Sequence, residues 1–158
     1  MKVFFWILKR KVLVLGLLAL MLTSNAQNTS YITEHKSMVT ELSEQFGIPY
    51  SVILAVAMVE SSSGQAHAAQ KLNNHFGIVG KNSQRSKSGF KSRYKQYASE
   101  QESFLDFCRV ISHKEFYARL KDNVDSKEWV KAISKAGYSE QPQVWEKRIL
   151  KTISANRL

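Results

Sequence analysis

Val52-Ile53-Leu54-Ala55-Val56-Ala57-Met58-Val59-Glu60 is an unbroken apolar run that ends in a carboxylate. Apolar residues in succession leave no polar face, so a helix here is buried on every side and the rest of the chain packs around it. Ser61-Ser62-Ser63-Gly64 then turns the chain away. Glu60 sits where the buried helix meets that turn. Apolar surroundings desolvate its charge, and the negative end of the helix dipole repels it. Both effects raise a carboxyl pKa, which suits a general acid working near neutral pH. The same stretch also fits a last-turn glutamate that points into water, so residues elsewhere must decide.

Upstream, Gly47-Ile48-Pro49 closes one helix and opens the buried one, since proline is accommodated in a first helical turn. Ile32, His35, Val39, Leu42 and Phe46 recur at helical spacing and predict an amphipathic first helix. Residues 1–26 read as a signal peptide. Met1, Lys2 and Lys9-Arg10-Lys11 are its basic part, Val12 to Leu22 its apolar part, and Ser24-Asn25-Ala26 a small-x-small cleavage site. The apolar part falls short of the roughly 20 residues that span a bilayer. An uncleaved anchor is the other reading, and it is the one route to a membrane. Residues 27–158 then form a single domain, exported to the periplasm or cell envelope and read as a monomer.

At 158 residues the chain can bury one sizeable core. Its 44% hydrophobic and 23% charged content fits neither a disordered chain nor a polytopic membrane protein. Lys2, Lys9, Arg10 and Lys11 supply four of the 23 basic residues and none of the 13 acidic ones, which leaves a net +6 from residue 27 onward. A basic exported domain suits an anionic partner such as a wall polymer. Export argues against nucleic acid. The lone Cys108 lies at core spacing with Phe104, Phe107 and Ile111, so it reads as a small buried hydrophobe.

Downstream, Ala66, Ala68 and Ala69 suggest a short helix, and Asn73-Asn74-His75-Phe76-Gly77-Ile78 a loop with sites for left-handed backbone. From Ser61 to Ser99 there is no Asp or Glu but there are seven Lys or Arg residues. Val79 to Tyr97 reads as a small basic β-hairpin lobe, with Phe90 to Tyr94 as its strand-like part. Ser99-Glu100-Gln101-Glu102 is a capping box. Asp125-Ser126-Lys127-Glu128 starts another helix, Gly137 ends it, and Pro142 opens the last, which carries Val144, Trp145, Ile149 and Ile153. The fold class is mainly α with a small β part.

Four segments carry a family resemblance: Glu60-Ser61-x-x-Gly64, Asn73-Asn74-His75-Phe76-Gly77-Ile78, Tyr94-Lys95-Gln96-Tyr97-Ala98-Ser99-x-x-Glu102-Ser103-x-x-Asp106, and Gly137-Tyr138-x-x-x-Pro142. In this order they resemble glycoside hydrolase family 73, the endo-β-N-acetylglucosaminidases of bacterial cell walls. The resemblance implies a lysozyme-like fold (α+β), with a helical lobe, a β-hairpin lobe and a groove between them that takes peptidoglycan glycan strands. It implies that Glu60 is the general acid and that Tyr138 lies beside it as a catalytic residue. Asn73, Asn74, Phe76 and Tyr97 fall at positions implied to bind substrate or shape the groove. His75 reads as a satisfied polar residue of the loop. Ser62-Ser63 stands where the family commonly has Gly-Trp, Ser139-Glu140-Gln141-Pro142 where it has Ala-Thr-Asp-Pro, and Val144-Trp145 where a tyrosine often follows that proline.

Glycosidases usually place a second carboxylate across the sugar. The basic segment holds none, which leaves Glu100 and Glu102 as the nearest candidates, and Glu102 already has a capping role. Substrate-assisted attack by the N-acetyl group, a distal base, or ring closure without water all avoid the need for one. Three functions stay open: a glucosaminidase, a lysozyme or lytic transglycosylase on the muramic-acid bond, and a non-catalytic wall-binding module. No metal-ligand spacing and no cofactor motif is present in the sequence.

Overall fold

The computed structural model describes residues 26–83 and 92–158. Seven helices occur among them: α1 (residues 26–46), α2 (Tyr50–Ser61), α3 (His67–Leu72), α4 (Glu100–Ser112), α5 (Tyr117–Leu120), α6 (Ser126–Lys135) and α7 (Pro142–Asn156). Of residues 1–26, read as a signal peptide, 1–25 lie outside the described ones. Among the described residues no helix is long and apolar enough to cross a membrane.

The apolar run is α2, and every residue from Ser51 to Met58 is buried. It packs against α7, α6 and α4. Helix α1 buries Tyr31, His35, Val39 and Leu42 on one face and stops at Gly47, whose φ of +60° is a left-handed turn that glycine adopts without strain. A side chain there would also strike Asp122. Pro49 sits one residue ahead of α2, as its N-cap.

The caps follow local chemistry. Ser99 Oγ accepts from Glu102 N at 3.2 Å, while Glu102 Oε2 accepts from Ala98 N at 2.9 Å. The Asp125 carboxylate accepts from Lys127 N and Glu128 N to start α6. Gly137 ends that segment at φ +78°.

The expected β-hairpin lobe is described only in part, since residues 84–91 lie outside the described ones. Among the described residues there is no strand, only an isolated antiparallel bridge between Val79 and Tyr94. Gly80 N–H donates to Arg93 O, and Lys95 N–H to Ile78 O, on either side of it. Beyond the bridge Gln96 N–H donates to Lys81 O, and the side-chain amide of Asn82 donates to the carbonyls of Ser92 and Tyr94. Phe90 and Lys91, part of the expected strand, lie outside the described residues.

Candidate active site

Glu60 is the eleventh residue of α2, half-buried, and its carboxylate opens into a groove of about 670 Å³. The backbone turns sharply beyond it, with Ser62, Ser63 and Gly64 all at positive φ. Ser61 secures this turn. Its hydroxyl donates to Ala57 O at 2.6 Å and accepts from Gly64 N at 2.8 Å. Two successive serines in left-handed backbone are a local strain that the packed end of the helix sustains.

Oε1 of Glu60 accepts the indole N–H of Trp145 at 2.7 Å. The other carboxylate oxygen faces the backbone of Gly77, where a Cβ would come within 3.7 Å. Burial pushes the Glu60 carboxyl up from its ordinary pKa, and the Trp145 hydrogen bond and Arg148 charge only partly oppose that. The expectation of a desolvated carboxyl at the helix end therefore holds, with Trp145 as an added partner.

Tyr138 stands beside this pair. Its ring lies 5.2 Å from that of Trp145, and its hydroxyl donates to the Phe76 carbonyl at 2.9 Å. Burial, and then the charge of Glu60, holds the phenol well above its ordinary pKa. With its proton committed to Phe76, the Tyr138 oxygen offers lone pairs to a bound group. Glu60, Tyr138 and Phe76 all line the groove.

The remaining expected site residues lie behind this wall. Phe76 is 2% exposed and stacks on Phe107 at 4.2 Å, so its ring belongs to the core and only its edge borders the groove. Asn74 is an internal brace. Its amide donates to Ile78 O and Lys95 O, and its carbonyl accepts from Phe76 N and Ile78 N. Asn73, at φ +52°, donates to Tyr97 O. Tyr97 is buried with its hydroxyl on Asp106 at 2.7 Å, and Lys95 also binds Asp106, at 2.8 Å. Burial tends to raise the Asp106 carboxyl, but the bonds from Lys95 and Tyr97 outweigh it and the pKa is lowered. Neither Asn73, Asn74 nor Tyr97 lines the groove.

Glu102 is exposed in its capping box and does not line the groove. His75 is 1% exposed, turned into the core rather than toward the groove, with Nδ1 on the Tyr31 hydroxyl at 2.7 Å. Its Nε2 makes no hydrogen bond but faces Glu100 Oε1 at 3.4 Å. Cys108 is fully buried and its thiol is pushed up to about 12, as an inert core residue requires.

The groove also holds residues the sequence reading did not select. Arg93, Lys114 and Arg148 bring positive charge, Glu140 brings a second carboxylate, and exposed Val79 and Val144 bring apolar surface. One signal for Arg148 was present in the sequence: it lies three residues after Trp145 on α7, hence on the same side.

The sequence and the fold match known proteins. The family profile described as mannosyl-glycoprotein endo-beta-N-acetylglucosaminidase (Glucosaminidase) matches residues 36–158. The peptidoglycan hydrolase FlgJ of Vibrio cholerae serotype O1 is 24% identical over 136 residues, and the match takes in 75% of this chain and 41% of that protein. The chain thus spans about two-fifths of that relative's length. A C-terminally truncated glycoside hydrolase domain of Salmonella typhimurium FlgJ superposes with a TM-score of 0.65 at 20% identity, covering 82% of this chain and 97% of that one. The catalytic domain of the autolysin Auto from Listeria monocytogenes superposes with a TM-score of 0.67 at 18% identity, covering 83% and 85%. With the profile covering most of the chain, this protein belongs to the glucosaminidase family of glycoside hydrolases.

Proposed function

We propose that the protein is an exported peptidoglycan hydrolase that cleaves the β-1,4 bond between N-acetylglucosamine and N-acetylmuramic acid, with residues 27–158 as its catalytic domain. The observation that carries this reading is Glu60: a half-buried carboxyl with a raised pKa, held by Trp145 at the wall of a groove large enough for sugar rings. The relative named as a peptidoglycan hydrolase supports the substrate class. So do Arg93, Lys114 and Arg148, which suit the lactyl and peptide carboxylates of a cell wall, while Val79 and Val144 offer apolar contact to sugar faces.

In this mechanism Glu60 gives its proton to the glycosidic oxygen as the bond to the anomeric carbon breaks. The acetamido oxygen of the same sugar closes on that carbon. The lone pairs of the Tyr138 oxygen accept the acetamido N–H and hold the group in place. Water then opens the ring while Glu60, now a carboxylate, takes the proton from that water and returns to its starting state. Glu140 is the other carboxylate lining the groove among the described residues, and in a water-attack variant it would serve as the base. Glu102 keeps its capping role.

A lysozyme or lytic transglycosylase would use the same acid on the muramic-acid bond. Its support is that the segment from Ser61 to Ser99 holds no Asp or Glu to stand across the sugar. Purified wild-type protein should clear a suspension of cell walls, and Glu60→Gln should lower that rate by roughly 10²–10⁴-fold. Full activity in Glu60→Gln would remove the assignment of the acid. Wall binding by the wild type with no clearing would favour a non-catalytic module.

A further inference from the structure

His35, His75 and Glu100 come from three separate elements: the middle of α1, the loop after α3 and the first residue of α4. They converge behind the groove, and none of them lines it. His35 Nε2 lies 3.2 Å from Glu100 Oε2, and His75 Nε2 lies 3.4 Å from Glu100 Oε1. One donor atom from each residue falls within 4.8 Å of the other two. We propose that these three side chains form a structural site for a divalent transition-metal ion, zinc by donor chemistry, that clips α1 and the 73–78 loop to the start of α4.

The spacing fits. Zinc sits roughly 2.0–2.2 Å from imidazole nitrogen and carboxylate oxygen, so tetrahedral ligand atoms lie roughly 3.3 Å apart. Two imidazoles and one carboxylate favour zinc over magnesium or calcium, which prefer all-oxygen shells. The surrounding hydrogen bonds also suit a metal. Nδ1 of His35 lies 2.8 Å from the Tyr31 carbonyl, which can only accept, so the proton is on Nδ1 and Nε2 keeps its lone pair. The Tyr31 hydroxyl sits 2.7 Å from His75 Nδ1 and can accept from it, which would free His75 Nε2 in the same way.

The second observation is His75 Nε2 itself. It is a buried nitrogen with no hydrogen-bond partner, on a side chain 1% exposed, and it faces the Glu100 carboxylate. A buried polar atom left unpaired is costly and calls for a partner. The Glu100 side chain is 47% exposed, which gives an ion a path in from solvent and leaves room for water as a fourth ligand.

Such a clip would stiffen the loop that serves the active site without joining the chemistry. His75 is followed by Phe76, whose carbonyl holds Tyr138, and by Gly77, whose backbone passes Glu60. The competing account is a metal-free hydrogen-bond network around Glu100.

The test uses the purified full chain, stripped with a chelator and titrated with Zn²⁺ and, separately, Co²⁺. The proposal predicts one equivalent bound, visible cobalt absorption of a tetrahedral site, and a melting temperature that rises with zinc. At zinc 100-fold above Kd the folded-to-unfolded ratio should rise about 100-fold. Glu100→Gln and His75→Gln should each weaken binding at least tenfold. A double variant, His67→Gln with His113→Gln, should bind as the wild type does. Should the His75 variant fail to fold, imidazole NMR of the wild type reads the same point: zinc must shift the signals of His35 and His75 and leave those of His67 and His113. Absence of zinc and cobalt binding by the wild type, undiminished binding in Glu100→Gln, or signal changes confined to His67 and His113 would each overturn the proposal.

Discussion

Trp145 donates its indole N–H to Oε1 of Glu60 at 2.7 Å, although 85 residues of chain separate them. The bond ties α7 to the end of α2 at the point where the Glu60 carboxylate enters the groove. It fixes one carboxylate oxygen and leaves the other beside Gly77. It also favours the ionised form, so it works against burial in setting the pKa.

Trp145→Phe keeps an aromatic ring and removes that donor. Loss of a hydrogen bond that favours the carboxylate raises the pKa of Glu60 further. A general acid must be protonated to act, so the alkaline limb of the pH–rate profile should move to higher pH. A loss in kcat of roughly tenfold is expected at the optimum from a less well fixed acid. An unmoved limb, or one displaced to lower pH, would mean that the indole does not tune the acid.

Glu60→Gln should be more stable than the wild type at neutral pH. The folded-state pKa of Glu60 is raised, so the folded protein holds that proton more tightly than the unfolded chain does. The resulting stability is fully present below the unfolded value, about 4.3, and is lost as pH rises through the folded value. At pH 7 the wild type therefore carries the cost of a desolvated charge that glutamine lacks. Thermal melts should show a higher melting temperature for the variant at pH 7 and convergence of the two near pH 4. A gap that does not change with pH would contradict this.

Tyr138→Phe deletes the hydroxyl that meets the Phe76 carbonyl at 2.9 Å. A lost buried hydrogen bond costs about 1 kcal/mol, so the melting temperature should fall by a few degrees. The proposed contact to the acetamido group adds a separate loss, expected at roughly 10–100-fold in kcat with little change in KM. A variant that melts lower yet turns over normally would restrict Tyr138 to structure.

Much of the frame was legible because its signals are local. The Val52–Val59 run has no polar face, and Ser99 and Asp125 reach only backbone N–H groups within three residues. Gly47 and Gly137 mark left-handed stops. Of the residues selected for the candidate site, Glu60, Phe76 and Tyr138 line the groove. Tyr97 reads as a groove aromatic until Asp106, nine residues away on another element, is seen to take its hydroxyl. Trp145 was assigned to the core face of the last helix, and it is buried there, but nothing local shows that its N–H would reach Glu60. Glu140 reaches the groove through the turn between α6 and α7, which no periodicity predicts. The basic Val79–Tyr97 segment suggests a hairpin, and among the described residues its pairing is one bridge, Val79 to Tyr94.

The two remaining carboxylate candidates separate cleanly. Glu102→Gln should keep wall-clearing activity and lose about 0.5–1 kcal/mol of stability through a weaker cap. Glu140→Gln, in the groove, should lower kcat if a protein base activates water and leave it unchanged if the acetamido group does the work. A steady-state assay of both variants on the same walls reads this directly. Inactivity of Glu102→Gln with normal folding would return that residue to the catalytic set.

The most direct test of the central claim is mass spectrometry of the ends released from purified peptidoglycan by the wild type, with Glu60→Gln as control. Cleavage by a glucosaminidase that uses Glu60 predicts fragments ending in reducing N-acetylglucosamine, absent from the Glu60→Gln digest. Fragments ending in reducing or anhydro-muramic acid, or N-acetylglucosamine ends that persist in Glu60→Gln, would contradict it.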